Sequence, residues 1–420
     1  GEHVLPLVHP VKITHNLAPD YFLEHHVSKR IPRSDEDDYS RDIIEKRQAF
    51  IEEHTPARLN HTRQFSFDPG EMTGNIENLF GVAQVPIGLA GPLLVNGEHA
   101  KGEFFVPMAT VEGTMLASYN RGMKVIRESG GVTTTVTDEA MQRAPVFVFP
   151  SAREARDFCR WLKEHFEQIR EVAESTTSVG KLREIEQYTA HQMVFTRFDY
   201  STGDAAGQNM TSKATFAACE WINQQVPTIS HYLLSGNFDT EKKTSAVNML
   251  KTRGRRVCAE ITIPRDVMIE NIRITPNQMH YGQGISTLSA FFSGSSNNAA
   301  HPANALAALY LATGQDIANI GESNQCTTYN KVTREGDYYF SINFPALILA
   351  TYGGGTALST QRECLEIMDC FGPGKALKLA EIAAALTVAG ELSLGAASRI
   401  DHKTRKNEWV DAHEKLGRNR

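Results

Sequence analysis

Between residues 145 and 235 the chain alternates strand and helix, and this restricts the fold more than any other feature. PVFVF (145–149) reads as a strand. Ser151 and Glu154 form the S-x-x-E pattern that opens a helix. Phe158, Trp161, Leu162, Phe166 and Ile169 follow at helical spacing and are expected to be core rather than a cofactor site. QMVFTRFDY (192–200) alternates as a half-buried strand does, and another helix begins near Asn209. The stretch is therefore expected to be a small α+β unit of its own.

The flanks carry both kinds of element. A short helix is expected around Ile43, Ile44, Phe50 and Ile51, after a polar linker or exposed loop, SKRIPRSDEDDYSRD (28–42). GVAQVPIGLAGPLLVNG (81–97) has too much Gly and Pro for a long helix and is expected as turns between short extended pieces. From 109 a helical pattern is expected through SYNRGMKVI, breaking at Gly130-Gly131 before the β-branched run Val132 to Thr137. RVCAEITIP (256–264) reads as a strand, and 300–320 and 375–398 as helices rich in Ala and Leu. In the second, Leu379, Ile382, Ala383, Leu386 and Ala389 mark one face.

Composition limits the function classes. A length of 420 residues suits two to three domains. Lys+Arg is 43 against Asp+Glu 49, a net charge of −6, which gives no support to nucleic-acid binding. The six cysteines are scattered with no CxxC pair, so free thiols in a reducing compartment are expected rather than disulfides or a zinc site. The best apolar run, Leu377 to Leu394, is interrupted by Lys378, Glu381 and Glu391 and falls short of a bilayer span. GEHVLPLVHP lacks the regions of a signal peptide. The expectation is a soluble, cytoplasmic chain without a membrane partner, although a lost anchor would leave no trace here.

Six segments combine small residues with isolated polar ones, the texture of a backbone that approaches a ligand. In PMATVEGTMLASYNRG (107–122), Glu112 is either a carboxyl held in apolar surroundings with a raised pKa, or a surface Glu favoured at a helix start. Asn120 and Arg121, further on, suit an anion. The stretch 201–213 places Asp204 and two glycines before a helix, where free N–H groups suit a phosphate, but G-x-G-x-x-G is absent. In LSGNFDTEKKTSAVN (234–248), Lys242 and Lys243 are either a solvated face or, if one is buried beside a carboxylate, a stabiliser of a developing oxyanion. In 297–325, His301 and Asn304 share a helix face if Pro302 lies in the first turn, and Asp316 could pair with a lysine. TYGGGTAL (351–358) holds three consecutive glycines. In the tail, His413 is either exposed or a mobile general acid.

Taken together, ENLFGVAQVPIGLAGPL, PMATVEGTMLASYNRG, GDAAGQNMTSK, SGNFDTEKK, GQD, GGGT and AGELSL stand in an order that resembles the 3-hydroxy-3-methylglutaryl-CoA reductase family. The likeness spans about residues 70–420 and is closer to the biosynthetic class. It implies an α+β enzyme whose large α/β domain, 77–143 and 236–420, is interrupted by a small ferredoxin-like, NADP-binding domain at 144–235. A helical N-terminal region, 1–76, precedes them.

The resemblance implies the site residues as well. Glu112, Lys242, Asp316 and His413 match the catalytic positions. Arg143, Ser235, Asn237, Lys243, His301 and Asn304 match contacts to the substrate's acyl group. Ser118, Asn120 and Arg121 match part of the coenzyme A site. Asp204, Gly207, Gln208, Met210, Gly353 and Gly354 match the nicotinamide-nucleotide site. The implied reaction converts 3-hydroxy-3-methylglutaryl-CoA to mevalonate and CoA, in isoprenoid biosynthesis, with NADPH and no metal. Sites between subunits imply a homodimer or higher homo-oligomer.

Four departures stand out. Glu139 and Glu241 stand where the family commonly has Asp. STTSVGKL (175–182) lacks an arginine that many members place after its second serine, so a moderate preference for NADPH is expected, with NADH usable. The chain between AGELSL and His413 is also longer than in many members. Two other classes remain open on the sequence: a nicotinamide-dependent reductase of another acyl-CoA, and a non-catalytic CoA-binding paralogue.

Overall fold

A computed structural model of the chain describes residues 30–398 and 407–415. Contacts divide the chain into Gly1–Gln84 and Val85–Arg420. The first 29 residues of the expected N-terminal region, and so the start of the 28–42 linker, lie outside the described residues.

In the first unit, α1 (Arg41–His54) buries Ile43, Ile44, Arg47 and Gln48. A buried guanidinium is tolerated only when its donors are met. Arg47 donates to the carbonyls of Pro32 (2.9 Å), Asp38 (2.8 Å) and Leu79 (3.1 Å), and pairs with the Asp38 carboxylate. The acidic stretch expected as a solvated linker is thus pinned to α1 at Asp38. Its sequence shows the charge, but the buried partner lies nine residues on.

The second unit starts with a hairpin of β1 (Ile87–Gly97) and β2 (Lys101–Ala109). From Ile87 on, the Gly/Pro-rich segment is one strand with an irregularity rather than several short pieces joined by turns, while 81–86 is irregular. Pro92 has no N–H to give the ladder, and pairing skips from Ala90 to Leu93. After α2 (Met115–Glu128), β3 (Val132–Arg143) runs parallel to β1 through Val132–Thr134. The helix expected from 109 is delayed to Met115, because β2 runs on to Ala109.

Beyond Ala144 come β4 (Val146–Val148), α3 (Ala152–Glu164), α4 (Phe166–Glu174), β5 (Lys181–Ala190), β6 (Met193–Ser201), α5 (Gln208–Gln225) and β7 (His231–Leu233). Their strands pair antiparallel in the order β5-β6-β4-β7. Ser151 caps α3 by accepting from Glu154 N–H at 3.3 Å. Phe158, Leu162 and Ile169 are buried with Phe147, Phe149 and Phe198, and Trp161 and Phe166 pack at the margin. The aromatic run is core, split between two helices at His165.

The chain then returns through α6 (Ala246–Leu250), β8 (Gly254–Ile263), α7 (Arg265–Ile272), α8 (Pro276–Ser293), α9 (Pro302–Thr313), α10 (Ile320–Ser323), β9 (Thr327–Val332) and β10 (Tyr338–Leu347). Last come α11 (Ser359–Ile367), α12 (Ala376–Ala397) and α13 (Glu408–Lys415). β8 pairs with β3, β10 with β8, and β9 with β10. β3 also carries Met141–Arg143 onto β6, so one strand joins the two groups of strands into a ten-stranded sheet.

α12 is the core helix, buried on nearly every side. It is the apolar run weighed above against a membrane span. Its two acids are satisfied by backbone. Glu381 accepts from the N–H groups of Glu98 (3.1 Å), His99 (2.9 Å) and Ala100 (2.6 Å), closing the β1–β2 turn. Glu391 accepts from Ala300 (2.7 Å) and His301 (2.5 Å) at the start of α9. α2 lies so close that a Cβ on Gly122 would fall 1.9 Å from the Ala389 carbonyl oxygen. All six cysteines are free thiols.

Candidate functional site

Two turns bring a lysine and an aspartate together. α9 ends at Gly314, which takes the left-handed conformation (φ 70). Gln315 next bonds the Ala350 backbone in both senses, donating at 2.9 Å and accepting at 2.6 Å. That fixes Asp316, whose Oδ1 accepts from Ala318 N–H at 3.0 Å while Oδ2 lies 2.9 Å from Lys242 Nζ. In GQD, then, Gly stops the helix, Gln anchors the turn and Asp faces the lysine.

Lys242 arrives on the loop between β7 and α6. Asn237, Thr240 and Lys242 all have positive φ (65, 61 and 59), an uncommon run for residues other than glycine. Side-chain bonds hold it. Thr240 bonds Asn248 at 2.6 Å, Ser235 donates to Asp239 at 3.2 Å, and Arg143 bonds Asp239 at 3.1 Å and Glu241 at 2.9 Å. Gly321 lets α10 press against the loop, since a Cβ there would fall 2.5 Å from the Lys242 carbonyl oxygen. The Asp316 hydrogen bond is the main cause of a Lys242 pKa raised above the ordinary lysine value, against partial desolvation. Lys242 is therefore an ammonium at neutral pH.

The remaining expected acyl contacts are spread around this pair. Lys243 points elsewhere, with Nζ donating to the Glu241 carbonyl at 3.0 Å. Ser235 and Asn237 are exposed. Arg143 already spends its fork on two carboxylates. Pro302 does occupy the first turn of α9, so His301 takes the N-cap position, without a side-chain cap bond, and half-buried Asn304 follows within the first turn. His301 is buried against Tyr119, whose hydroxyl is 3.0 Å from Nδ1, and burial pushes its pKa down to about 4. Burial likewise pushes Glu391 up to about 7, despite its two N–H donors. Both departures from the family's Asp have partners: Glu241 reaches Arg143, and Glu139 lies 3.3 Å from Arg255.

Glu112 is exposed in the turn before α2, with its N–H bonded to Thr110 Oγ1 at 3.0 Å. The apolar neighbours that suggested a buried carboxyl do not cover it, because Val111 is itself 83 % exposed.

The residues expected at coenzyme A lie on α2. Ser118 donates to Ser393 Oγ at 2.8 Å, and Arg121 reaches Ser393 Oγ at 3.0 Å and its carbonyl at 2.7 Å. Asn120 accepts from Gly91 N–H at 2.8 Å. Arg121 also pairs with Glu408 at 2.6 Å, tying α13 to α2 beside a cavity of about 340 Å³ lined by Ala117, Ser118, Arg121, Leu394 and Glu408. His413 belongs to α13, but its side chain lies outside the described residues.

The residues expected at the nucleotide lie around the start of α5. Asp204 accepts from Gly374 (2.7 Å) and Ala376 (3.1 Å), capping α12. Gly207 takes φ 84 as the N-cap of α5, followed by Gln208, which bonds Asn319 at 2.9 Å. Met210 packs beside Gly180, where a Cβ would meet its Cε at 2.8 Å. Gly353 and Gly354 have positive φ and open space where a Cβ would stand.

Tyr119, Gln315, Ser393 and Glu408 were not singled out in the sequence. Only Glu391, an acid inside an apolar run, left a signal there. Of the acidic groups close enough to share a metal, Glu381 is filled by its three N–H donors, and Glu186 pairs with Lys251 and Arg197.

Residues 43–418 match the hydroxymethylglutaryl-coenzyme A reductase family. The chain belongs to this family. Its relatives include the 3-hydroxy-3-methylglutaryl-coenzyme A reductase of Pyrococcus abyssi, 41% identical over 384 residues, 89% of this chain and 92% of that protein. The enzyme of the same name from Methanothermobacter thermautotrophicus is 42% identical over 381 residues, 90% of this chain and 94% of that one. In fold the chain is similar to the class II reductase from Streptococcus pneumoniae bound to NADPH, with a TM-score of 0.63 at 18% identity, covering 77% of this chain and 87% of that one.

Proposed function

We infer that the chain reduces 3-hydroxy-3-methylglutaryl-CoA to mevalonate and CoA by two hydride transfers from NADPH, the mevalonate-forming step of isoprenoid biosynthesis. The observation that carries this is the Lys242–Asp316 pair in a family member that retains every catalytic residue type.

The residues suit the nicotinamide nucleotide. α5 opens at Gly207 with no side-chain cap, which leaves its first N–H groups for a phosphate. Gly353 and Gly354 leave room for a ligand against the backbone. Bound NADPH supplies the hydride of both reductions. STTSVGKL offers Lys181, paired with Glu174 at 2.8 Å, and no arginine for a 2′-phosphate, so the preference for NADPH should be moderate and NADH should also serve.

Hydride attack on the thioester carbonyl places negative charge on its oxygen, and the Lys242 ammonium stabilises that charge. Asp316 orients the ammonium and keeps it protonated. Collapse of the hemithioacetal expels the CoA thiolate, which His413 protonates. The second reduction places charge on the same oxygen, and Glu112 supplies its proton. For Lys243 and Arg143 to serve the substrate carboxylate, Lys243 must leave the Glu241 carbonyl and Arg143 must yield a donor now held by Asp239 or Glu241; Ser118, Asn120 and Arg121 serve the coenzyme A.

In this reading the unit at 144–235 is ferredoxin-like. Its β-α-α-β-β-α-β succession, with α3 and α4 filling the first crossover, and its strand order β5-β6-β4-β7 support that assignment. The N-terminal region is 1–76, and 77–143 with 236–420 forms the large domain. The active assembly is a homodimer or a higher homo-oligomer. Exposed Tyr281, Ile285, Leu288 and Phe292 on one side of α8 support this, as a wide apolar face left for a second copy.

The test is oxidation of NADPH and of NADH with 3-hydroxy-3-methylglutaryl-CoA. Lys242→Ala should cost about 10² to 10³ in kcat, and Lys243→Ala should mainly raise KM. No turnover, or turnover only with another acyl-CoA, would overturn the assignment.

A further inference from the structure

His301 is held on three sides. Its ring is 6 % exposed and meets the Tyr119 ring edge-on, with centroids 5.2 Å apart and planes at 82°. α12 forms another wall, where a Cβ on Gly390 would fall 2.9 Å from both His301 Cγ and Tyr119 Cζ. Behind it, Glu391 fixes the His301 backbone N–H.

Donor and acceptor arithmetic then selects a tautomer. Burial raises the Tyr119 pKa, so the phenol keeps its proton, and a buried O–H needs an acceptor. Among the described residues the hydrogen-bond partner of that hydroxyl is His301 Nδ1, at 3.0 Å. A neutral imidazole carries one N–H and one lone pair. With the proton on Nδ1, the ring would donate to the phenol and leave the phenol's own O–H without an acceptor. With the lone pair on Nδ1, both groups are satisfied and the ring proton sits on Nε2. No hydrogen bond among the described residues reaches Nε2.

We propose that Tyr119 is a positioning residue that locks His301 in its Nε2–H form, making the ring a neutral donor to an acceptor oxygen of the substrate's acyl group. The proposal rests on His301 being an acyl contact. A neutral donor suits a hydroxyl or carbonyl oxygen and leaves the free carboxylate to the cations. It also keeps the contact independent of pH near neutrality, since the ring's pKa of about 4 lies well below that range.

Nitrogen-15 labelling of the histidines reads the tautomer in the intact protein, and loss of signals in His301→Asn assigns residue 301. The expected spectrum shows a pyridine-type Nδ1 and a pyrrole-type Nε2. Tyr119→Phe removes the Nδ1 partner, and KM for 3-hydroxy-3-methylglutaryl-CoA should rise about fivefold or more, with kcat changed less. A pyrrole-type Nδ1 in the unaltered protein overturns the proposal even if Tyr119→Phe fails to fold. So does an unchanged KM in Tyr119→Phe where His301→Asn raises it. An unchanged KM in His301→Asn is a different failure: it removes the acyl-contact role, and the proposal with it.

Discussion

One hydrogen bond is the main cause of the raised Lys242 pKa, and the sign of that effect sets a pH dependence. Asp316 accepts from Nζ at 2.9 Å and raises the lysine pKa, while desolvation lowers it. Both side chains are more than two-fifths exposed, at 43% and 44%, so solvent weakens the pair and its value to stability is small. Its value to catalysis is the charge. A raised pKa keeps the ammonium at neutral pH, and an activity that needs it declines only as pH rises through that value. Asp316→Asn should therefore lower kcat and move the alkaline limb of the kcat/KM profile to lower pH. An unmoved limb would mean that Asp316 does not tune Lys242. The possible pairing of Asp316 with a lysine was legible from its place after an apolar helix. The orientation of Lys243 was not, because neighbouring lysines look alike in sequence, and Lys242 takes a left-handed backbone that no local pattern announces. Tyr119 was hidden for another reason: a fully buried tyrosine in a helix reads as core, and its hydroxyl's partner lies 182 residues away.

Elements with their own periodicity were readable. α3, α5 and β8 lie where local pattern puts them, because each buries a face that repeats every two or every 3.6 residues. α12 and β6 also lie where expected but are buried on both sides, not on the one face or alternate positions the pattern suggested, and α9 stops at Thr313, short of the expected 320. The elements that misled are set by long-range contacts. β1 is a full strand despite Gly91 and Pro92, because β2 pairs on both sides of the gap. α13 is short, and Glu408 ties it to Arg121 at 2.6 Å on α2. That contact joins the tail helix to the cavity beside Ser118, and His413 stands five residues further along the same helix. A thiolate can leave without help, but protonation stops it from re-attacking the aldehyde, and an imidazole suits that task near neutrality. Reduction of the aldehyde expels no sulfur. His413→Gln should therefore depress thioester reduction strongly while sparing reduction of added mevaldehyde. Equal loss of both activities in the folded variant would rule out a role confined to the thiolate.

At the scale of the whole molecule, two observations made on one chain complete each other if a second copy is present. Glu112, the proposed proton donor, is exposed in the segment before α2, and no apolar neighbour covers it within one chain. α8 presents Tyr281 at 72 %, Leu288 at 54 % and Phe292 at 79 % exposure, although a helix this apolar is normally covered. If the proposed homo-oligomer builds its sites between subunits, Glu112 of one protomer acts with Lys242 of its partner. Mixing tests this without a structure of the complex. Glu112→Gln and Lys242→Ala proteins should each be inactive as pure assemblies. Exchange of protomers produces mixed dimers in which one site carries both changes and the other carries neither. With random exchange half the dimers are mixed, so activity should recover to roughly a quarter of the unaltered protein's. No recovery, with exchange verified by differently tagged protomers, would place Glu112 and Lys242 in one chain's site. Phe292→Asp should weaken the assembly and lower activity on dilution, since a charge on that face opposes its burial.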